Sequence, residues 1–552
     1  NLTESDIMVD SPTNNFATIN PLSKMNNGAV TLSEGNLQFN LADNGMARSS
    51  ILASSGKWYW EAHLIFTDGS NLASIGVSET GYMAGAPFDN GAAFNGYVYI
   101  NNGTKNSSFG NASSYGTSYA VGDIIGVALD LDNGTLAFYK NNVSQGTAFT
   151  GVDREYGAYW SGYGNTDRWV ANFGQDSSFA GNKTAQGNQD SNDIGDFYYT
   201  PPTGYLALCT KNLPDVDVVP SKHFNTVLYT GTGSNQSVTS VGFQPDFSWI
   251  SRRDNVHNNY VADAVRGNSV ILSTDQTSAD ISVAMLTFDS NGITLQGDNS
   301  GWNGSSATYV AWNWKANGSG SSNTNGDITS TVSANVDAGF SIVSYTGNGS
   351  ATQTVGHGLT KAPEMIMVKR RDSAQHWIVY HASNTAAPET EALLLSATDA
   401  TYDHDGYWDD TAPTSSVFTI DTFHDVNASS GTYIAYAFAS VDGYSKVGSY
   451  TGNGSADGTF VYTGFAVKYI LLKNADDSGG NWVIWDSTRD PYNKGYHYLL
   501  ANSTSAEGTG SSFDLLSNGF KLRETGDGVN GSNNNIIYIA FAETPFKYSN
   551  AR

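Results

Sequence analysis

Apolar and polar positions alternate in short runs along almost the whole chain. Lys57-Trp58-Tyr59-Trp60-Glu61-Ala62-His63-Leu64 and Thr135-Leu136-Ala137-Phe138-Tyr139-Lys140 are examples, set between clusters of Gly, Asn, Asp and Ser. Successive strand side chains point to opposite faces, so this pattern between turn residues predicts β-strands. No long segment carries apolar residues at helical spacing. The expectation is an all-β chain with short helices at most.

Beyond residue 220 the pattern repeats. Three Tyr-Thr-Gly-x-Gly pentads stand at Tyr229–Gly233, Tyr345–Gly349 and Tyr450–Gly454. Three closing tetrads follow: Tyr309-Val310-Ala311-Trp312, Tyr433-Ile434-Ala435-Tyr436 and Tyr538-Ile539-Ala540-Phe541. Trp377 and Trp482 keep step between them, with Tyr260 in that place in the first copy. Copies of this length can each hold a core, which predicts a string of similar β-sandwich beads. Linkers are expected at 211–223, where two prolines fall close together, and at the Gly/Ser/Asn-rich 319–335. The beads are then 224–318, 336–440 and 441–552.

Composition narrows the functional classes. The 552 residues carry a net charge of −25, and only 14% are charged, while 12% are aromatic. Nucleic-acid binding needs clustered Lys and Arg, so it is not expected. No apolar run is long enough for a spanning helix, so no membrane insertion is expected. Cys209 stands alone, which excludes an intrachain disulfide framework and suits a small buried residue. The opening Asn1-Leu2-Thr3-Glu4-Ser5-Asp6 lacks the features of a signal peptide and an initiator Met, so numbering is expected to start inside a longer polypeptide.

Residues 30–180 resemble a SPRY domain. The matching series is Gly56–Glu61, Ala73–Val77, Gly122–Asp130, Gly134–Asn141 and Trp169–Gly174. The resemblance implies a bent β-sandwich over 30–210 that binds partners through loops and has no catalysis of its own. The whole arrangement is similar to tail-associated proteins of marine tailed bacteriophages. Asp10–Leu22, Ala207–Pro214 and the ending Tyr538–Arg552 carry that likeness. It implies a virion surface protein, a tail-fibre component that contributes to host receptor or glycan binding. Residues 1–29 would then be an attachment segment. Other virion proteins, a homotrimer and a host surface glycan or receptor are the implied partners. A capsid decoration or head-fibre protein, a glycan depolymerase and a bacterial surface lectin are the alternatives; no enzyme activity is expected.

Candidate binding residues are aromatic. Tyr97 and Tyr99 alternate along one run, and Tyr156, Tyr159, Trp160 and Tyr163 cluster amid Gly and Ser. Such rings offer contact area with a polar tip. Asp403-His404-Asp405-Gly406-Tyr407-Trp408-Asp409-Asp410 is the densest chemical segment. Tyr407 or Trp408 would stack on a sugar there, and Asp403, Asp405 and Asp409 are candidate Ca²⁺ ligands; no other cofactor is expected. A solvated acidic loop is the competing reading. Asp130-Leu131-Asp132-Asn133-Gly134 reads as a type I′ hairpin turn rather than a calcium loop. His376 and His381 flank Trp377 and read as surface or rim residues, and basic-then-acidic strand ends such as Arg252-Arg253-Asp254 and Arg370-Arg371-Asp372 read as local ion pairs. No nucleophile elbow, phosphate loop or dinucleotide fingerprint is present.

Overall fold

The computed structural model describes residues 14–549 apart from 26–28, 43–44, 69–71, 80–94, 108–111 and 163–165. Strand makes up 46% and helix 5%, so the all-β expectation holds. The chain divides into two compact units, Asn1–Asp215 and Val216–Arg552.

The first unit is a sandwich of two sheets, antiparallel apart from the short strand Leu206–Ala207, which pairs parallel with Lys57–Thr67. One runs Ile19–Met25, Met46–Ala53, Tyr156–Ser161, Ser74–Ser78, Gly96–Ile100, Thr104–Ser107, Ser113–Ser114. The other runs Val143–Thr150, Thr135–Lys140, Ile124–Asp130, Lys57–Thr67, Asp167–Asn172, Gln38–Leu41, Val30–Ser33. Trp60, Trp160, Trp169 and Phe173 are fully buried in it. Ile19–Met25 pairs with Met46–Ala53, and Phe16 bridges to Cys209. Residues 16–25 are therefore part of the sandwich and not of a separate attachment segment. Residues 1–13 of that expected segment lie outside the described residues. The turn after Asp130 exists, but only Gly134, at φ +63°, is left-handed. A type I′ turn needs Asn133 there too. Instead the Asp130 carboxylate accepts the Asn133 backbone and side-chain N–H at 3.0 and 2.8 Å.

The second unit holds the three repeats, each built on one strand order. An opening strand (Phe224–Thr230, Phe340–Thr346, Ser445–Thr451) pairs with the closing strand (Thr308–Trp314, Thr432–Phe438, Asn535–Pro545). The closing strand pairs with a central strand (Phe247–Arg252, Met365–Arg370, Phe465–Asn474). A fourth strand (Tyr260–Asp263, Trp377–His381, Val483–Asp486) and a fifth (Val270–Ser273, Glu391–Leu394, Gly495–Leu500) complete the common set.

The pentad recurs for a physical reason. A Cβ on its first glycine (Gly231, Gly347, Gly452) would lie 2.2–2.5 Å from a backbone oxygen of the facing loop. Its second glycine (Gly233, Gly349, Gly454) sits at φ +62° to +72°. Between them an N–H donates to a buried asparagine: Thr232 to Asn303, Asn348 to Asn427, Asn453 to Asn530, at 2.9–3.1 Å.

The register corrects two sequence landmarks. Tyr229, Tyr345 and Tyr450 face Tyr309, Tyr433 and Ile536. The third closing strand is thus aligned two residues earlier than its Tyr538 tetrad suggests. A two-residue slip leaves every side chain on the same face, so pattern alone does not detect it. In the first copy Tyr260 pairs with Ile250 as Ile378 pairs with Val368. Asn259, not Tyr260, therefore occupies the place of Trp377 and Trp482.

The repeats are not separate beads. One core cluster draws Phe224, Trp249, Trp312 and Trp314 from the first, Phe340, Trp377 and Tyr436 from the second, and Tyr469, Trp482 and Phe541 from the third. Each repeat also keeps a private core on the other face of its sheet. The central strands are buried on both faces as a result. Each large apolar side chain so buried is worth roughly 1.5–3 kcal/mol, so a lone repeat would expose an aromatic face. The expected linker 319–335 is also structured: Ser321–Asn323 and Ser330–Asn335 are strands added to the second repeat's sheet.

Contacts between repeats close a ring. Asp263 accepts from the Tyr436 hydroxyl at 2.8 Å, joining the first repeat to the second. His381 Nε2 donates to the Tyr538 carbonyl at 3.1 Å, joining second to third. Asp486 accepts from Trp312 Nε1 at 3.1 Å, joining third to first. Running the other way, Trp377 donates to Ser273 O, Trp482 to Leu394 O and the Asn259 amide to Leu500 O, at 2.8–3.0 Å. His381 is 1% exposed, which corrects its reading as a surface or rim residue.

Candidate functional site

The first unit carries a surface cleft of about 220 Å³ lined by Glu79, Gly96, Tyr97, Gly151, Asp153, Arg154 and Tyr156. Strand pairing builds it. Tyr97 lies opposite Val77, and Gly157, next to Tyr156, lies opposite Ser78. The shared strand Ser74–Ser78 thereby brings together residues about sixty positions apart. The Tyr97 ring lies 5.8 Å from Tyr156 and 4.8 Å from Phe149, forming an aromatic floor. Tyr156 is buried and Tyr97 half-buried. Gly151 stands at φ +74°, where the chain turns between two strands.

Charge enters from the side. Arg154 Nη1 lies 3.2 Å from Glu79 Oε1, and the Arg154 side chain is 59% exposed. Burial pushes the Glu79 carboxyl above its ordinary range, against the pull of Arg154. Burial and the neighbouring Glu79 also raise the Tyr156 hydroxyl pKa, which keeps it a neutral donor. The cleft therefore offers a phenol face, a guanidinium and carboxylates. That set suits a ligand with hydroxyl or amide groups and an apolar face.

The other aromatic candidates do not join it. Tyr99 is fully buried against Tyr115, Tyr119 and Phe138, and its hydroxyl donates to Thr117 O. Trp160 packs edge-on to Phe39 and Phe173, and Tyr159 is 1% exposed. These three are core, since nearly every position of their strands Gly96–Ile100 and Tyr156–Ser161 is buried. Tyr163 lies outside the described residues. Tyr407 and Trp408 sit in the helical turn Asp405–Trp408 and are 4% and 1% exposed. Trp408 Nε1 donates to Glu391 O at 3.1 Å, so neither ring is a sugar platform. Among the described residues no group of three His, Cys, Asp or Glu gathers to hold a metal, and Asp403, Asp405 and Asp409 do not converge. Glu79 and Arg154 escaped the sequence reading. Arg154 as the one base in Asp153-Arg154-Glu155 was the available signal.

Residues 219–545 match the family described as Domain of unknown function (DUF7483). The chain belongs to that family. The match takes in all three repeats of the DUF7483 region as one stretch, in keeping with their shared core. Residues 57–175 match the SPRY domain, so the first unit carries an N-terminal SPRY domain. A curated relative is the E3 ubiquitin-protein ligase RKP of Arabidopsis thaliana, 33% identical over 112 residues. That stretch is 19% of this chain and spans only 8% of the ligase. Solved structures similar to the chain include the SPRY domain of human HERC1, at 18% identity and TM-score 0.25, covering 28% of this chain and 96% of that one. The TRIM65 PSpry domain is similar at 18% identity and TM-score 0.23, covering 28% and 90%.

Proposed function

We propose that this chain is a surface protein of a tailed-bacteriophage virion, a tail-fibre component that binds a host receptor or surface glycan without catalysis. The binding part rests on one observation: the Tyr97–Tyr156 cleft with Arg154 and Glu79 at its side. Aromatic floor and polar wall are the pair of features a glycan's apolar face and hydroxyls require. The virion part rests on the order of segments from Asp10–Leu22 to Tyr538–Arg552. Other virion proteins and two further copies of the chain are the proposed partners, since trimeric display multiplies weak contacts.

The test is binding of the purified full chain to host cells and to a glycan array. Tyr97→Ala and Arg154→Ala are expected to weaken binding at least tenfold with unchanged melting. Equal binding by both variants would sink the cleft assignment. Immunogold labelling of the particle head alone would overturn the tail-fibre assignment.

A further inference from the structure

The charges in the Tyr97–Tyr156 cleft are not equally occupied. Arg154 and Glu79 spend theirs on each other: Nη1 meets Oε1 at 3.2 Å and Oε2 at 3.4 Å. Asp153, the second carboxylate in the lining, is exposed, and among the described residues it has no hydrogen-bond or ion-pair partner. Its charge reaches Glu79, whose pKa it helps to raise. Two further cations stand near the cleft but do not line it. Arg48 is 2% exposed and bonds Ser23 Oγ at 2.8 and 3.2 Å. Lys105 donates to Ala148 O. The unanswered charge that the lining presents is therefore negative.

Beside Asp153 lie other groups that receive an ammonium. Gly151 lines the cleft, and among the described residues its carbonyl accepts only a long 3.5 Å contact from the Tyr97 hydroxyl. Tyr97 and Tyr156 supply π-systems that attract a cation electrostatically. The same aromatic floor already holds an ammonium of the chain's own. Lys105 Nζ stands 4.9 Å over the Phe149 ring, which packs 4.8 Å from Tyr97. Carboxylate, carbonyl and rings together are the acceptor set of an amine site.

Arg154 and the size of the cleft decide what carries the amine. Among the described residues Arg154 Nε and Nη2 have no partner, so they call for acceptor oxygens on the ligand. A sugar brings hydroxyl oxygens to them, and a lysine side chain brings none. At about 220 Å³ the cleft holds one compact unit; drug-sized pockets run to ~300–1,000 Å³.

We propose that the cleft takes an amino sugar, with its free ammonium on Asp153 and the Gly151 carbonyl and its ring against Tyr97. This names the ligand class for the glycan reading of the same cleft and rests on that reading.

The probes are trisaccharides of one β-1,4 backbone, made of glucosamine, N-acetylglucosamine or glucose. Each is titrated into the full chain by calorimetry, beside the glycan array. The glucosamine trimer is expected to bind about tenfold tighter than the other two, the worth of one charge-assisted hydrogen bond. Asp153→Asn, at an exposed position, should cut that advantage to about twofold or less. An advantage that survives Asp153→Asn is diffuse attraction to an acidic chain and overturns the proposal. Equal binding of the acetylated or glucose trimer also overturns it, as does an array whose retained glycans all lack a free amine; the glycan reading then stands. A tri-lysine peptide that binds through Asp153 while no trimer does overturns it in favour of a protein receptor. An array that retains no glycan removes the cleft reading and this proposal with it.

Discussion

The three junctions of the DUF7483 region occupy equivalent places but use two chemistries. The first-to-second junction joins Asp263, Arg266 and Asp280 to Arg371 and Tyr436. The third-to-first joins Asp486, Arg489 and Glu507 to Arg253 and Trp312. The second-to-third places His381, Asn384, Thr401, Ala475 and Ile539 at the same five positions. Thr401 Oγ1 bonds Asn384 Oδ1 at 2.6 Å, and Thr401 N–H bonds Ala475 O at 2.8 Å. Ile539 offers no donor, and the carboxylate that would receive one is absent. With the carboxylate gone, the arginine three residues on is gone as well. A buried polar network is worth keeping only when every member is satisfied, so its members change together.

Burial opposes the charge on Arg266 and Arg489, yet their carboxylate partners raise both pKa values further. Those arginines are locked as cations, and removing one partner strands a charge. Asp486→Ala is expected to lower unfolding stability most, by about 3–5 kcal/mol, read from denaturant midpoints of the full chain. A loss under 1 kcal/mol would erase the distinction between the two kinds of junction.

Next in size is the response to acid. Burial pulls the His381 imidazole down to about 4, from an ordinary value of 6.5. A depressed folded pKa means stability that is complete above 6.5 and lost as pH falls through 4. Between pH 7 and pH 4 the natural chain should lose about 3 kcal/mol more than His381→Asn does. Parallel pH curves would remove histidine from the account of that junction.

Tyr436→Phe deletes the hydroxyl between Asp263 and Arg266 and imitates the donor-free third repeat without its other four changes. About 2 kcal/mol should be lost; a neutral result would mean the five positions are not coupled. Arg253→Ala removes a two-pronged but partly exposed pair with Glu507 at 2.8–3.0 Å. It should cost only about 1 kcal/mol, and a double-mutant cycle with Glu507→Ala would give the coupling directly.

The sequence carried the repeats well where geometry demands particular residues. The pentads survive because their two glycines meet a close backbone and a left-handed turn. Their asparagine partners Asn303, Asn427 and Asn530 were equally regular but lay in loops with no pattern around them. The candidate site was half legible. Tyr97 and Tyr156 stood out as aromatics, but so did Tyr99, Tyr159 and Trp160, which are core. Half-buried Tyr97 and the buried cleft residue Tyr156 look like the core aromatics, because alternation gives the side of a strand that a residue takes and not what covers it. Glu79 and Arg154 were unreadable because their pairing joins positions 79 and 154, and only strand order brings those together.

What the residues determined by themselves is local: strands, turns, three copies and the SPRY motif series, all set by short-range sterics and alternation. What only the tertiary structure decided is which faces meet. A strand with apolar residues on both sides fits a lone sandwich badly and a ring of three well, and alternation cannot tell which neighbour supplies the cover. The same holds for 319–335, whose Gly/Ser/Asn composition suits a loose linker. It became a strand because the second repeat's edge lay within reach.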